Sequence, residues 1–197
     1  MRVFILCVVF ILIPSCFNKT PTYLNMNLDV NHVGVSTCAS CHTDVYHSFS
    51  KTGMGQSIRV ATRNNSNANF VDTLYDDKSQ YYYYPHFIGD KVAVDEYSIL
   101  NNDTIHHLTH IVSSIVGSGH HTNSHLIDNN GYLYQAPFTY YTQDSVLDFP
   151  PGFEDDNNTR FSRKMGLECI ACHASYPDFV LGSENKFNSL PKAIDCE

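Results

Sequence analysis

Apolar and polar positions follow three different rhythms along the 197 residues. Residues 3–13 (VFILCVVFILI) are an unbroken apolar run. Around residues 36–55 the spacing is helical: Val45 and Phe49 recur at i, i+4 behind the cap-forming Ser36 and Thr37, and Gly53 and Gly55 end the run. Asn157, Asn158 and Thr159 are cap chemistry again, ahead of a second short helical stretch that Pro177 ends. Between them the rhythm is that of strands. Asn69–Tyr75, Tyr81–Tyr84, Val92–Ile99, Thr104–Val112, His125–Ile127 and Tyr132–Tyr134 are β-prone. Asp76-Asp77, Gly89-Asp90, Asn101-Asn102-Asp103 and Asn129-Asn130-Gly131 read as turns between them. This spacing predicts an antiparallel β-rich insert over about residues 68–142, closed by Pro150-Pro151-Gly152. The fold class expected is α+β, with short helices at both ends of the insert.

The 11-residue apolar run is too short to span a bilayer, which takes about 20 residues. Behind the positive Arg2 it reads as a secretory signal peptide. It leads through Pro14 and Ser15 to Cys16, and a small residue directly before such a cysteine resembles a bacterial lipobox, although Pro14 departs from the usual pattern. The expectation is a signal peptide over residues 1–16, a lipid anchor on Cys16 holding the protein to a membrane, and a polar tether over 17–35. The alternative is ordinary cleavage nearby, with Cys16 incidental. Either way the mature chain is exported, as a periplasmic or outer-membrane protein of a bacterium. A formal net charge of -8 argues against a nucleic-acid partner, because phosphate binding needs a basic footprint. Tyr 13 and Phe 12 are too many aromatics for a disordered acidic chain.

Cys 7 and His 11 are the unusual counts. Cys7 lies in the apolar run, Cys16 at the lipobox and Cys196 next to the last residue. The other four make two copies of one pattern, Cys38-Ala39-Ser40-Cys41-His42 and Cys169-Ile170-Ala171-Cys172-His173. C-x-x-C-H is the attachment pattern of c-type haem. Two intervening residues set both sulfurs on one turn of chain, where they reach the two vinyl groups of one porphyrin. The next residue, His42 or His173, then falls beneath the iron, where a neutral imidazole is a good axial ligand. A four-thiolate zinc site from Cys38, Cys41, Cys169 and Cys172 is the competing reading, but ribbon knuckles are usually about 15–20 residues apart and zinc gives no reason for the two histidines. A thioredoxin-type dithiol wants a βαβ context, and the pattern shows none.

These residues resemble the multihaem cytochromes related to the nitrifier tetrahaem cytochrome c and to hydroxylamine oxidoreductase, in particular a subset of exported lipoproteins. The matching segments are Thr52-Gly53-Met54-Gly55, Gly117-Ser118-Gly119-His120-His121, Leu133-Tyr134-Gln135-Ala136-Pro137 and Pro151-Gly152-Phe153, and they cover roughly residues 36–197. The resemblance implies one cytochrome domain over 36–197, a core organised by the haems, and electron transfer through closely stacked haems to other redox proteins. It places Met54 where the broader family carries an axial His, and a thioether there raises the potential relative to bis-His ligation. The other reading of Met54 is a gap-filling core residue. His121 matches the His of Gly-Ser-Gly-x-His and is the distal ligand chosen from a dense set that includes His106, His107, His110, His120 and His125. His47 is a further candidate, while Arg160 and Arg163 could pair with haem propionates or line a solvated surface.

Cys196-Glu197 matches the first two positions of the family's third attachment site, which reads Cys-Glu-x-Cys-His. The resemblance therefore implies that the chain is the front part of a longer protein, and that any residue, then Cys and His, should follow in the source gene. Two function classes stand besides the zinc module. In an electron carrier every haem is six-coordinate; in a redox enzyme one haem keeps an open site for a small nitrogen or sulfur compound. No catalytic signature is visible, so the carrier is preferred.

Overall fold

The computed structural model of the protein describes residues 32–154 and 156–196. The expected signal peptide, Cys16 and all but the end of the tether lie outside these residues, as does Glu197. Among the described residues no helix is long and apolar enough to cross a membrane.

Residues from Val33 onward form one compact unit. Its elements run α1 (Val35–Ala39), α2 (Thr43–Phe49), β1 (Ile58–Val60), β2 (Leu74–Asp76), β3 (Tyr81–Ile88), β4 (Lys91–Leu100), β5 (Asp103–Ile111), β6 (Ser114–Val116), β7 (Thr122–Asn129), β8 (Tyr132–Tyr141), β9 (Val146–Asp148) and α3 (Leu167–Ile170). This is an α+β arrangement dominated by antiparallel sheet, with short helices at both ends. The strands make two sheets, a meander of order β2-β3-β4-β5 and a five-stranded sheet of order β1-β6-β7-β8-β9. The β region thus runs from Ile58 to Asp148, longer at both ends than the expected 68–142. β1 joins β6 across the whole intervening meander, a pairing no local pattern announces.

The hairpin between β7 and β8 follows the turn chemistry. Asn130 (φ 53°) and Gly131 (φ 89°) both take positive φ between the paired Asn129 and Tyr132, as a tight type I′ hairpin requires. The Phe187 carbonyl also crowds Gly131: a Cβ there would stand 2.6 Å from it. One expected strand is mostly absent. Only Leu74 and Tyr75 of the Asn69–Tyr75 region pair, in a strand that runs on to Asp76, and Val71 N–H turns back to the Asn69 carbonyl at 3.1 Å. Phe70 drops inward instead, its ring 5.1 Å from Phe87 and 5.9 Å from Phe138.

Alternation puts Val92, Val94, Glu96 and Ser98 of β4 on the inward face, where they meet Ile115, Ile127, Ala136, Phe138 and Leu147 of the other sheet in one apolar core. A smaller core of Ile58, Leu126, Leu133, Ile170, Ala174 and Phe187 fixes the second cysteine motif to the five-stranded sheet. Glu96, fully buried, is a charge on that inward face. Burial alone would raise its pKa, but a two-pronged contact from Arg160 (2.9 and 2.5 Å) and a 2.9 Å contact from His106 outweigh it and hold the carboxylate below the ordinary 4.5.

His125 sits at the irregularity in the β7–β8 pairing, where β8 bulges through Pro137 and where a residue lacking N–H is tolerated in an inner strand. Its ring is fully buried, stacked 4.2 Å from Phe138. Neither ring nitrogen has a partner in hydrogen-bonding geometry. Burial pushes its pKa down to about 3, and the nearby Phe138 backbone offsets this only in part.

Candidate haem-attachment site

Each C-x-x-C-H motif spans the end of a short helix and the turn after it. In the first, Cys38 belongs to α1 and both Cys41 N–H (3.3 Å) and His42 N–H (2.9 Å) bond to the Cys38 carbonyl, winding thiols and imidazole onto one turn. In the second, Cys169 lies in α3, and His173 N–H bonds to the Ile170 carbonyl at 2.9 Å. Cys41, Cys172 and His42 are exposed, and Cys38, Cys169 and His173 are half-buried. All five described cysteines are free thiols. Burial, then Glu168, raises the Cys169 pKa.

Two cap expectations are corrected. The N-cap of α1 is Gly34, without a side-chain bond, and Thr37 sits inside the helix with its hydroxyl donating back to the Val33 carbonyl at 3.1 Å. The N-cap of α3 is Gly166, while Asn158 serves a turn by accepting from Arg160 N–H at 2.8 Å. The motif helices also differ in how they are held. Ile170 and Ala174 are buried in the smaller core, whereas α1 and α2 have no buried residue at all.

Ser57 joins three of the candidate segments. Its hydroxyl lies 2.7 Å from the Met54 carbonyl and 2.6 Å from the His173 carbonyl, donating to one at a time, and it accepts from Ile194 N–H at 3.2 Å. Its own carbonyl accepts from Gly117 N–H at 2.7 Å, which adds the Gly117–His121 turn. Ala193 bridges to Ala174, and Asp195 N–H donates to Ser175 Oγ at 3.1 Å, so the strip leading into Cys196 runs alongside the second motif. A cleft of about 160 Å3 between Val35, Tyr46, Phe49, Gly55 and Lys192–Asp195 links the first motif to the same strip. It is smaller than the ~300 Å3 at which ligand pockets begin, so it is a seam rather than a porphyrin site. Gly55 closes this seam: a Cβ there would meet the Phe49 carbonyl oxygen at 2.5 Å.

One end of the unit therefore gathers both motifs, the turns bearing Met54 and His121, and the strip into Cys196. Met54 is 55% exposed and His121 is exposed, so neither is a core residue here. His125 is instead enclosed in the sheets, and His106 and His107 face Glu96 and Asp95 at 2.9 and 3.4 Å. Arg160 and Arg163 are committed within the protein, Arg160 to Glu96 and Arg163 to Gln135 Oε1 (3.2 Å) and the Pro151 carbonyl (2.7 Å). Sequence reasoning passed over Ser57, since a lone serine carries no signal. Among the described residues no group of three or more His, Cys, Asp or Glu is placed to hold a metal ion, so the four motif thiols do not converge on one point.

The Ser57 contacts carry a prediction. Ser57 is 6% exposed, and Ser57→Ala strips the Ile194 N–H of its acceptor and the Met54 or His173 carbonyl of a donor. The expected cost is about 1–3 kcal/mol in urea unfolding, with faster amide exchange at Ile194. Unchanged stability and exchange would show that the hydroxyl does not hold the strip.

Compared with protein-family models, with curated proteins and with solved structures, the chain finds no match.

Proposed function

We propose that the chain carries electrons outside the cytoplasm through c-type haems attached covalently at Cys38/Cys41 and Cys169/Cys172, with His42 and His173 as axial ligands. The observation that carries this reading is the state of α1 and α2. Helices this short owe their stability to tertiary packing, yet neither has a fully buried residue, and they bracket the first motif with Val45 60% exposed. Leu167 and Tyr176 are likewise exposed beside the second motif. Free thiols beside uncovered apolar side chains fit a large apolar group bonded at each motif.

A bound haem supplies one-electron chemistry at its iron; the chain supplies thiols, imidazoles and an apolar surface. Gathering both motifs at one end of the unit suits a carrier, in which successive redox groups must lie close. The larger core is built from the two sheets alone, while the smaller one takes Ile170 and Ala174 from the second motif, so the haems' organising role is assigned to the motif end. Kinship with the multihaem cytochromes, export, a lipid anchor at Cys16 and redox proteins as partners belong to the same proposal, as does Cys196 as the first thiol of a third site.

The test is absorbance and haem stoichiometry of the full chain made in a host with c-type maturation. A Soret band with covalently retained haem at both motifs is expected, and a colourless protein that binds zinc would overturn the reading. Distal ligation by Met54 and His121 is tested separately. Met54→Ala should turn one iron high-spin or water-ligated and lower its potential, and His121→Ala should likewise turn one iron high-spin or water-ligated. A variant with unchanged spectrum and potential shows that its side chain does not ligate the iron.

A further inference from the structure

Three of the four sheet edges are closed by strands of only 3 residues, β1, β2 and β9. The fourth, β5, has 9 residues and no pairing beyond β4 among the described residues. Long bare edges are normally blunted by Lys, Pro, a bulge or a covering loop. β5 reads Asp-Thr-Ile-His-His-Leu-Thr-His-Ile, without Lys or Pro; it bulges once, at Ile105, between the pairs Ile99/Thr104 and Ser98/His106, and runs regularly from His106 to Ile111.

The bond from Val112 N–H to the Val92 carbonyl (2.9 Å) sets the phase of the ladder. Alternate residues point their backbone groups to opposite sides, so Leu108 and His110 face β4 while His107, Thr109 and Ile111 turn N–H and C=O outward. Three apolar side chains on this edge are open to solvent: Ile105 (63%), Leu108 (36%) and Ile111 (42%). They lie symmetrically about Leu108.

We propose that β5 is the seam of a two-fold dimer, in which β5 of a second copy pairs antiparallel with it and Leu108 faces Leu108 across the axis. In this register His107 opposes Thr109 of the other copy in the regular part of the ladder, and the bulged Ile105 comes alongside Ile111, so that all three apolar positions are covered. The outward-facing residues pair with outward-facing residues, as a hydrogen-bonded ladder requires. Asp103 is the only Asp, Glu, Lys or Arg in the strand, so the seam escapes the repulsion that a net charge of -8 imposes elsewhere. The partner is a second copy of this chain, because the strand complements itself.

The test is sedimentation of the full haem-loaded chain, with far-UV circular dichroism and haem content as folding controls. The wild type should have the mass of a dimer. Thr109→Pro removes an outward N–H without touching the β4 ladder and should halve the mass, as should Ile105→Lys. Adding Ile111→Glu to Ile105→Lys sets opposite charges face to face across the seam and should recover the dimer. Val60→Lys, on the far sheet, should change nothing. A monomeric wild type, including one that pairs only with a strand from another protein, overturns the proposal. So does a dimer indifferent to Ile105→Lys, the variant that decides the matter should Thr109→Pro fail its folding controls.

Discussion

Cys41→Ala combined with Cys172→Ala should leave each motif able to form one thioether at most, and replacing Cys38 and Cys169 as well should abolish covalent haem altogether. Haem stain retained on a denaturing gel reads this directly: strong for the wild type, much reduced for the double variant, absent for the fourfold one. Cys41 and Cys172 are exposed, so alanine there removes no core packing and leaves the loss of a thiol as the main change. The consequence for folding should be uneven. The first motif has no buried anchor of its own, so losing its haem should disorder α1 and α2 while the sheets persist. The second is held by Ile170 and Ala174 and should keep its backbone. Circular dichroism should retain the β signal in every variant. Haem staining unaltered in the fourfold variant would sink the attachment sites.

The second large effect is on acid stability. His125 is neutral in the fold, its pKa pushed from the ordinary 6.5 to about 3 by burial. Between those values the unfolded chain takes up a proton that the folded chain refuses, so stability falls as pH falls. The slope is about 1.4 kcal/mol per pH unit, or about 2–3 kcal/mol from pH 6.5 to 4.5. Glu96, with its lowered pKa, adds a loss of the same sign further down, as pH drops below 4.5. His125→Phe keeps a flat ring against Phe138 and removes the proton site. Urea unfolding at pH 7, 5.5 and 4.5 should show the variant losing less stability than the wild type by that amount. Parallel pH profiles would mean that the imidazole reaches water or a partner.

Much of the β architecture was legible in the sequence because tight turns have strict chemistry. Asn129-Asn130-Gly131 and Gly89-Asp90 each join the two strands expected of them. The partition into two sheets was not legible: β1 finds β6 more than 50 residues away, through packing that leaves no local trace. The buried position of Glu96 could have been read, since it keeps step with Val92 and Val94. The motif cysteines stood out by spacing alone. The gathering of Met54, His173 and Ile194 around Ser57 did not, because it rests on hydrogen bonds from one small side chain to distant backbone.

The contrast between a self-sufficient β region and an unanchored first motif sets an order of assembly. On the proposed reading an exported chain would reach its attachment machinery unfolded, and the larger core could close there without using a single cysteine. The thiols of Cys38 and Cys41 then remain on a segment that opens at little cost, so a late-arriving haem still finds them. Cys169 and Cys172 flank Ile170, whose burial completes the smaller core, so folding competes with their modification. If haem is attached as proposed, attachment at the second motif is the step that must keep pace with folding, and the one that a slow supply of haem would compromise first.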